Sequence, residues 1–229
     1  GKYVQRDINK SLYYLELAAK QDCTIAQYNL GNIYYHGIYV VRNIEKAIYY
    51  FKIAAYKNFN DSNCILGLIY YKGIYIKKDI KKAMHYFSLG LDRKDPKSQF
   101  YVGLINYKQK NISEAIHFFE LSAAHGYGSA QYYLGKIYYK GKYVQKNINK
   151  SMNYLKKSSD NDNSKAQFLL GLIYLRGFDV ESDIQKAIHY FTLSSKKNNL
   201  NSQFFLAIIY YHGIHVPCDI KKSIYYFKE

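Results

Sequence analysis

The stretch LGNIYYHGIYVVRNIEKAIYYF, residues 30–51, holds a glycine inside one amphipathic segment, a glycine at its end, and a second amphipathic segment after Asn43. The stretch recurs along the chain. The position of Gly31 is occupied again at spacings of 36, 36, 32, 36 and 36 residues, by Gly67, Gly103, Gly135, Gly171 and Ala207. A fixed period of this size is typical of helical repeat proteins, so the sequence predicts an array of units that each contain helix, loop and helix.

Each predicted unit carries signals for the ends of its two helices. A second glycine closes the first helix, called helix A, because glycine accepts the left-handed conformation of a C-terminal cap. These glycines are Gly37, Gly73, Gly141, Gly177 and Gly213. An Asp or Asn precedes the second helix, helix B, where its side chain can accept a hydrogen bond from a free amide in a cap worth about 1 kcal/mol. These residues are Asp7, Asn43, Asp79, Asn111, Asn147, Asp183 and Asp219.

The glycine inside helix A requires a packing reason, since it costs up to about 1 kcal/mol relative to alanine in a helix. Helix B carries a small residue followed by a bulky pair, as in Ala47, Tyr50 and Phe51. This arrangement suits two helices that meet closely at one point. We therefore expect Gly31 and its counterparts to let helix A contact helix B, with Tyr34, Tyr50 and Phe51 in the packed interior.

Composition limits the function without deciding it. The 229 residues are 48% apolar and carry a net charge of +16, and 29 of the 33 basic residues are lysine. Such a charge favours an acidic partner, but Lys, Asn, Ile and Tyr all have AT-rich codons, so the charge is equally explained by genome composition. No run approaches the roughly 18 apolar residues of a membrane helix. Cys23, Cys64 and Cys218 occupy unrelated repeat positions, and no disulfide framework is expected.

The spacing between the two helices carries a family resemblance. Leu30-Gly31-x-x-Tyr34 followed by Ala47-x-x-x-Phe51 resembles the core of the tetratricopeptide repeat, and the longer connection with its second glycine resembles the Sel-one-like repeat (SLR). The resemblance covers essentially all 229 residues. It implies an all-α, right-handed superhelical solenoid of six antiparallel helix pairs plus a leading helix. The chain opens and closes inside a unit, which indicates a fragment of a longer protein.

One unit departs from this pattern. The distance from the internal glycine to the alanine of helix B is 16 residues in the standard unit but 12 between Gly103 and Ala115. The connection in this unit, at about residues 98–127, is therefore of tetratricopeptide length. A local change in the path of the solenoid is expected there.

The resemblance implies that helix A lines a concave groove. Mapping the groove positions of the family gives an aromatic row and a basic row, which together suit an acidic or aromatic protein segment. The predicted partner-binding residues are Tyr35, His36, Tyr71, Lys72, Tyr107, Lys108, Tyr139, Lys140, Arg176, Tyr211 and His212. A further row, at Tyr28, Cys64, Phe100, Tyr132, Phe168 and Phe204, is interpreted mainly as core. The basic row is equally explained by cations that favour the C-terminal end of a helix dipole.

The predicted function is a protein-interaction scaffold, without cofactor or catalytic residues. The alternative is a basic helical-repeat module that binds RNA, which is disfavoured because only four residues are arginine. His212, His215 and Cys218 resemble a zinc-binding set, but two of them occupy ordinary repeat positions and no fourth ligand follows. No metal site is expected. Oligomeric state and cellular compartment are left open by the sequence.

Overall fold

The structure is a computed structural model, and it describes residues 7–57 and 59–228, without the side chain of Asn60. All regular secondary structure in these residues is α-helical. The helices there are α1 Ile8–Lys20, α2 Thr24–His36, α3 Ile44–Tyr56, α4 Asn60–Lys72, α5 Ile80–Leu91, α6 Pro96–Lys108, α7 Ile112–Ala124, α8 Gly128–Lys140, α9 Ile148–Asp160, α10 Ser164–Arg176, α11 Ile184–Ser195, α12 Leu200–His212 and α13 Ile220–Lys228. The prediction of an all-α fold is confirmed.

The chain forms two compact units. Unit 1 comprises Gly1–Val102, and unit 2 comprises Gly103–Glu229, so that the division falls inside α6. In each unit, helices that are consecutive in sequence pack against each other, as α2 does on α3 and α8 on α9. The helices after α1 alternate between the A and B types, which places residues from successive A helices near one another within a unit.

The predicted helix ends are found at almost every position. The five glycines that close helix A all adopt left-handed backbone conformations, with φ between 60° and 69°. Six of the seven predicted Asp and Asn caps accept a hydrogen bond of 2.9 Å from the amide three residues later. Both features confirm the sequence signals.

Asn111 is the exception, and its predicted role as a cap was wrong. Its side chain makes no capping hydrogen bond, and its backbone angles, φ −81° and ψ 76°, differ from the extended values of the other six caps. The cause is the short connection between α6 and α7, in which Lys110 instead takes a left-handed conformation with φ 67°. A loop of this length brings the chain into helix B from a different direction.

The internal glycine of helix A does permit close contact with helix B. A Cβ atom added at Gly31 would lie 2.6 Å from the ring of Phe51, and one added at Gly171 would lie 2.6 Å from Phe191. At Gly135 the obstacle is Leu155, whose Cγ would be 2.7 Å away. Carbon atoms do not approach so closely, so a side chain at these three glycines would require the facing residue of helix B to move.

Each standard repeat contains a column of one lysine and two tyrosines. Tyr34 of α2 stacks on Tyr50 of α3 with ring centroids 5.9 Å apart and planes 3° from parallel, and the ammonium of Lys46 lies 5.0 Å from the Tyr34 centroid. The same column recurs at Lys82/Tyr70/Tyr86, Lys150/Tyr138/Tyr154, Lys186/Tyr174/Tyr190 and Lys222/Tyr210/Tyr226. Ring stacking and cation–π contact therefore join helix A to the first turn of helix B.

Buried glutamines connect three of the A helices, α2, α8 and α10, to the end of the preceding helix B. The Nε2 of Gln27 donates to the carbonyl of Ala19 at 3.1 Å, and that of Gln167 donates to the carbonyl of Ser159 at 3.3 Å. The last carbonyls of a helix have no partner inside that helix. These glutamines satisfy such a carbonyl, and they thereby fix how one repeat stacks on the next.

Candidate functional site

A pocket of about 440 Å³ lies on three successive A helices of unit 2. We call it the basic pocket. Helix α8 contributes two tyrosines and two lysines, helix α10 contributes two cations and two apolar side chains, and the start of α12 contributes two asparagines. Its lining consists of Tyr132, Lys136, Tyr139, Lys140, Lys165, Phe168, Leu169, Arg176, Asn199 and Asn201.

The charge of the basic pocket has one sign. Four of its lining residues are cations, and no carboxylate is among them. Asp179 comes near this region because it pairs with Lys146, whose ammonium lies 5.7 Å from the centroid of Tyr139. That carboxylate is already compensated by its own lysine. The basic pocket is therefore suited to a negatively charged group.

Lys136 is the cation most influenced by its surroundings. It is half-buried, and its ammonium lies 5.8 Å from the ring centroid of Tyr132. Burial lowers the pKa of Lys136, and repulsion from Lys140 and Lys165 lowers it further. An anion in the basic pocket would relieve both effects, since it would offset the cost of desolvation and separate like charges.

The basic pocket brings together three of the predicted partner-binding residues, Tyr139, Lys140 and Arg176. The other predicted residues of unit 2, which are Tyr107, Lys108, Tyr211 and His212, do not line it. Tyr107 packs edge-on against the rings of Tyr133 and Tyr143 at 5.7 and 6.2 Å.

The predicted residues of unit 1 follow the same arrangement at the end of each A helix. His36 and Lys72 are exposed, and the rings of Tyr35 and Tyr71 are half-buried. Tyr35 contacts Tyr75 of the next connection at 6.1 Å. A cavity of about 150 Å³ in unit 1 lies away from these residues, between α1 and α2, and is lined by residues such as Leu15 and Ile33.

The row interpreted mainly as core is buried only in part: Tyr28 is half-buried, and the interpretation is wrong for Phe204, which is 54% exposed on α12. Cys64 and Phe100 in unit 1 are buried, at 4% and 5% exposure. In unit 2, Tyr132 and Phe168 are only half-buried and form the apolar wall of the basic pocket. Burial raises the pKa of the Tyr132 hydroxyl, so this group remains a neutral hydrogen-bond donor.

The buried position of Cys64 leads to a prediction about thiol reactivity. Burial raises the pKa of Cys64 to about 12, with a contribution from the charge of Asp95, whereas Cys23 and Cys218 are exposed. Because the thiolate is the reactive form, we expect a disulfide reagent at pH 8 to modify Cys23 and Cys218 rapidly and Cys64 only after denaturation. A thiol titration in buffer and in urea checks this. Rapid reaction of all three thiols in the folded protein would contradict the burial of Cys64.

Sequence reasoning missed Lys136, although the signal was present. The same repeat position holds Asn32, Leu68, Leu104, Leu172 and Ile208, so Lys136 is the one charged residue among six. Because its lysine does not recur, this position is not among those that the repeat pattern predicts to bind a partner. Its departure from the repeat pattern was the available sign of a site.

Two further features bear on function. Across the described part of the chain, no three His, Cys, Asp or Glu side chains are grouped so that they could hold a metal ion. His212, His215 and Cys218 do not form such a group either. None of the helices within residues 7–57 and 59–228 combines the length and the apolar character needed to cross a bilayer.

Recurring helix pairs, most of them closed by a left-handed glycine and packed through an internal glycine, define an all-α solenoid of helical repeats. The chain belongs to the Sel1 repeat family, whose model matches it in seven consecutive segments: residues 1–23, 24–59, 60–95, 96–127, 128–163, 164–199 and 200–229. The SLR resemblance is thereby confirmed. Proteins built from Sel1 repeats are generally protein-interaction scaffolds.

Solved structures show the same fold. A Sel1 repeat protein from Oxalobacter formigenes is 27% identical over 99% of this chain and 66% of its own, with a TM-score of 0.88. The protein c5321, a protective antigen of uropathogenic Escherichia coli with an SLR fold, is 25% identical over 95% of this chain, with a TM-score of 0.81. Immunity protein Pa5087 from Pseudomonas aeruginosa shares the fold at 21% identity over 90% of this chain and 80% of its own, with a TM-score of 0.62.

The chain spans 47% of the length of the Escherichia coli antigen and 66% of that of the Oxalobacter formigenes protein. No curated protein matches the chain.

Proposed function

We propose that this chain is a non-catalytic interaction scaffold, and that unit 2 binds an acidic segment of a partner protein in the basic pocket. The observation that carries the proposal is a concave site with four cations and no carboxylate in its lining. Opposite charge across an interface speeds association and selects partners. The apolar wall made by Tyr132 and Phe168 adds a surface for an aromatic or aliphatic side chain next to the acidic group.

The arrangement of the rings favours a protein segment over RNA. Single-stranded RNA is bound by stacking its bases on open aromatic faces. Tyr107 lies outside the basic pocket and packs against two other rings, and Tyr139 lies beside Lys146. The wall of Tyr132 and Phe168 can take one side chain, but it is not the row of open faces that successive bases need. Arginine, whose planar group suits phosphates and bases, contributes one residue to the basic pocket.

The test compares two variants that each replace three lysines by glutamine. The pocket variant changes Lys136, Lys140 and Lys165. The control changes Lys156, Lys196 and Lys221, which are exposed on unit 2 outside the basic pocket. Both variants therefore lower the net charge by the same amount. Binding of short labelled peptides, either rich in Glu and Phe or rich in Lys and Phe, is followed by fluorescence anisotropy at low salt.

We expect the wild type to bind the acidic peptide and not the basic one. The pocket variant should lose at least about tenfold in affinity, which corresponds to 1.4 kcal/mol, and the control less than about threefold. Equal losses in the two variants would show that general charge, rather than this pocket, attracts the peptide. Tighter binding of a mixed-sequence RNA, abolished in the pocket variant, would replace the proposal with the RNA-binding alternative.

A further inference from the structure

The starting observation is the placement of a lysine where the repeat otherwise has an amide or an aliphatic residue. Lys136 occupies the position of Leu104 and Leu172 in the adjacent repeats. Leucine there would cost nothing to bury, whereas an ammonium loses hydration. Lys136 is nonetheless half-buried, between the ring of Tyr132 and two further lysines. A charge held at such a cost is commonly part of a binding site.

The cations approach the basic pocket from two helices. Lys136 and Lys140 project from α8, one turn apart, and Lys165 and Arg176 from the two ends of α10. A single carboxylate has one charge to share among these four groups. A phosphate ester carries about −1.5 to −2 charges at neutral pH and three acceptor oxygens, which suits the three lysines, since Lys136 lies close enough to Lys140 and Lys165 for their charges to lower its pKa. Arg176 lies about 16 Å from Lys165 along the axis of α10, and its planar fork suits a second acidic group of the same segment.

We propose that the basic pocket recognises a phosphorylated side chain within the acidic partner segment; this inference rests on the proposed function. Lys136, Lys140 and Lys165 hold the phosphate, and Arg176 at the other end of α10 pairs with a neighbouring carboxylate of the segment; the side-chain amides of Asn199 and Asn201 border the site. The half-buried rings of Tyr132 and Phe168 contact the remainder of the modified side chain. Phosphotyrosine fits this combination best, because its ring can pack on an aromatic wall while its phosphate reaches the cations.

The experiment uses labelled peptides of one acidic sequence that differ at one position, which is phosphotyrosine, tyrosine or glutamate. Each is titrated with the wild-type chain and with two variants, Lys136→Leu and Lys156→Leu. Leucine is the residue found at the Lys136 position in three other repeats, so the first variant should fold, which circular dichroism verifies. The second removes one exposed lysine from helix α9 of the same repeat and serves as the charge-matched control.

We expect the wild type to bind the phosphotyrosine peptide at least about tenfold more tightly than the tyrosine peptide, a difference of 1.4 kcal/mol, and more tightly than the glutamate peptide. Lys136→Leu should reduce this preference to less than about threefold, and Lys156→Leu should leave it unchanged.

Three results would overturn the inference. Equal affinity for the phosphotyrosine and glutamate peptides would remove the phosphate specificity but leave the acidic-segment function in place. A phosphate preference that survives Lys136→Leu would place the site elsewhere on the chain. Failure of all three peptides to bind would overturn both the inference and the proposed function.

Discussion

Replacing Gly135 by leucine is expected to lower the free energy of unfolding by at least about 3 kcal/mol. A Cβ at this position would lie 2.7 Å from Cγ of Leu155 and 3.3 Å from its backbone nitrogen. Leu155 is fully buried and cannot move aside without displacing its own neighbours. The gain in helix propensity, about 1 kcal/mol, is too small to offset the overlap. Urea denaturation followed by circular dichroism measures the loss.

The matched control is Asn153→Leu, which adds leucine to an exposed position of α9 in the same repeat. Its effect should stay within about 0.5 kcal/mol, as is usual for exposed sites. The combination of Gly135→Leu with Leu155→Ala should be less destabilised than the sum of the two changes, since the truncated side chain makes room for the new one. Wild-type stability of Gly135→Leu would refute the close approach of α8 and α9.

The sequence was sufficient for the features that depend on local rules. A left-handed helix end such as Gly37 requires glycine whatever surrounds it, and a cap such as Asn43 needs only the amide three residues later. The spacing of Gly31 and its counterparts supplied the period, and with it the fold. Strict local requirements repeated many times are visible in one sequence.

The features that the sequence did not reveal depend on how helices cross. Lys46 reaches the ring of Tyr34 across the connection, and no local rule pairs these two residues. The shortened repeat shows the same dependence, because it carries Asn106, Glu114 and Phe118 in place of the lysine and the two tyrosines. The short connection and the loss of the column occur together. The missing cap at Asn111 belongs to this change.

The candidate site could be predicted only in part from the sequence, for a similar reason. Tyr139, Lys140 and Arg176 were found because they recur, whereas Lys136 was missed because it does not. The half-buried placement of Tyr132 and Phe168 followed from the spacing of α8, α10 and α12, which fixes a pocket rather than a closed core. In a repeat protein, recurrence identifies the scaffold, and departures from it are the better indication of a specific site.

Truncation of Phe191 is expected to affect both the stability of unit 2 and its binding. The ring of Phe191 is fully buried, stacks on Phe205 at 5.3 Å and contacts Phe168 at 5.9 Å. Phe191→Ala should cost about 3–5 kcal/mol, through lost contacts and the cavity left behind. Because Phe168 forms part of the wall of the basic pocket, we expect weaker binding of the acidic peptide by the variant even at temperatures where it remains folded.

The comparison is Phe178→Ala, which truncates a phenylalanine that is 86% exposed in the connection after α10 and should change the free energy of unfolding by less than about 0.5 kcal/mol. Peptide binding and urea denaturation are measured on both variants. If Phe191→Ala loses stability but keeps its affinity for the peptide, the packing of Phe191 does not support peptide binding in the basic pocket. Similar small effects in the two variants would contradict the buried position of Phe191, and with it the reason that Gly171 has no side chain.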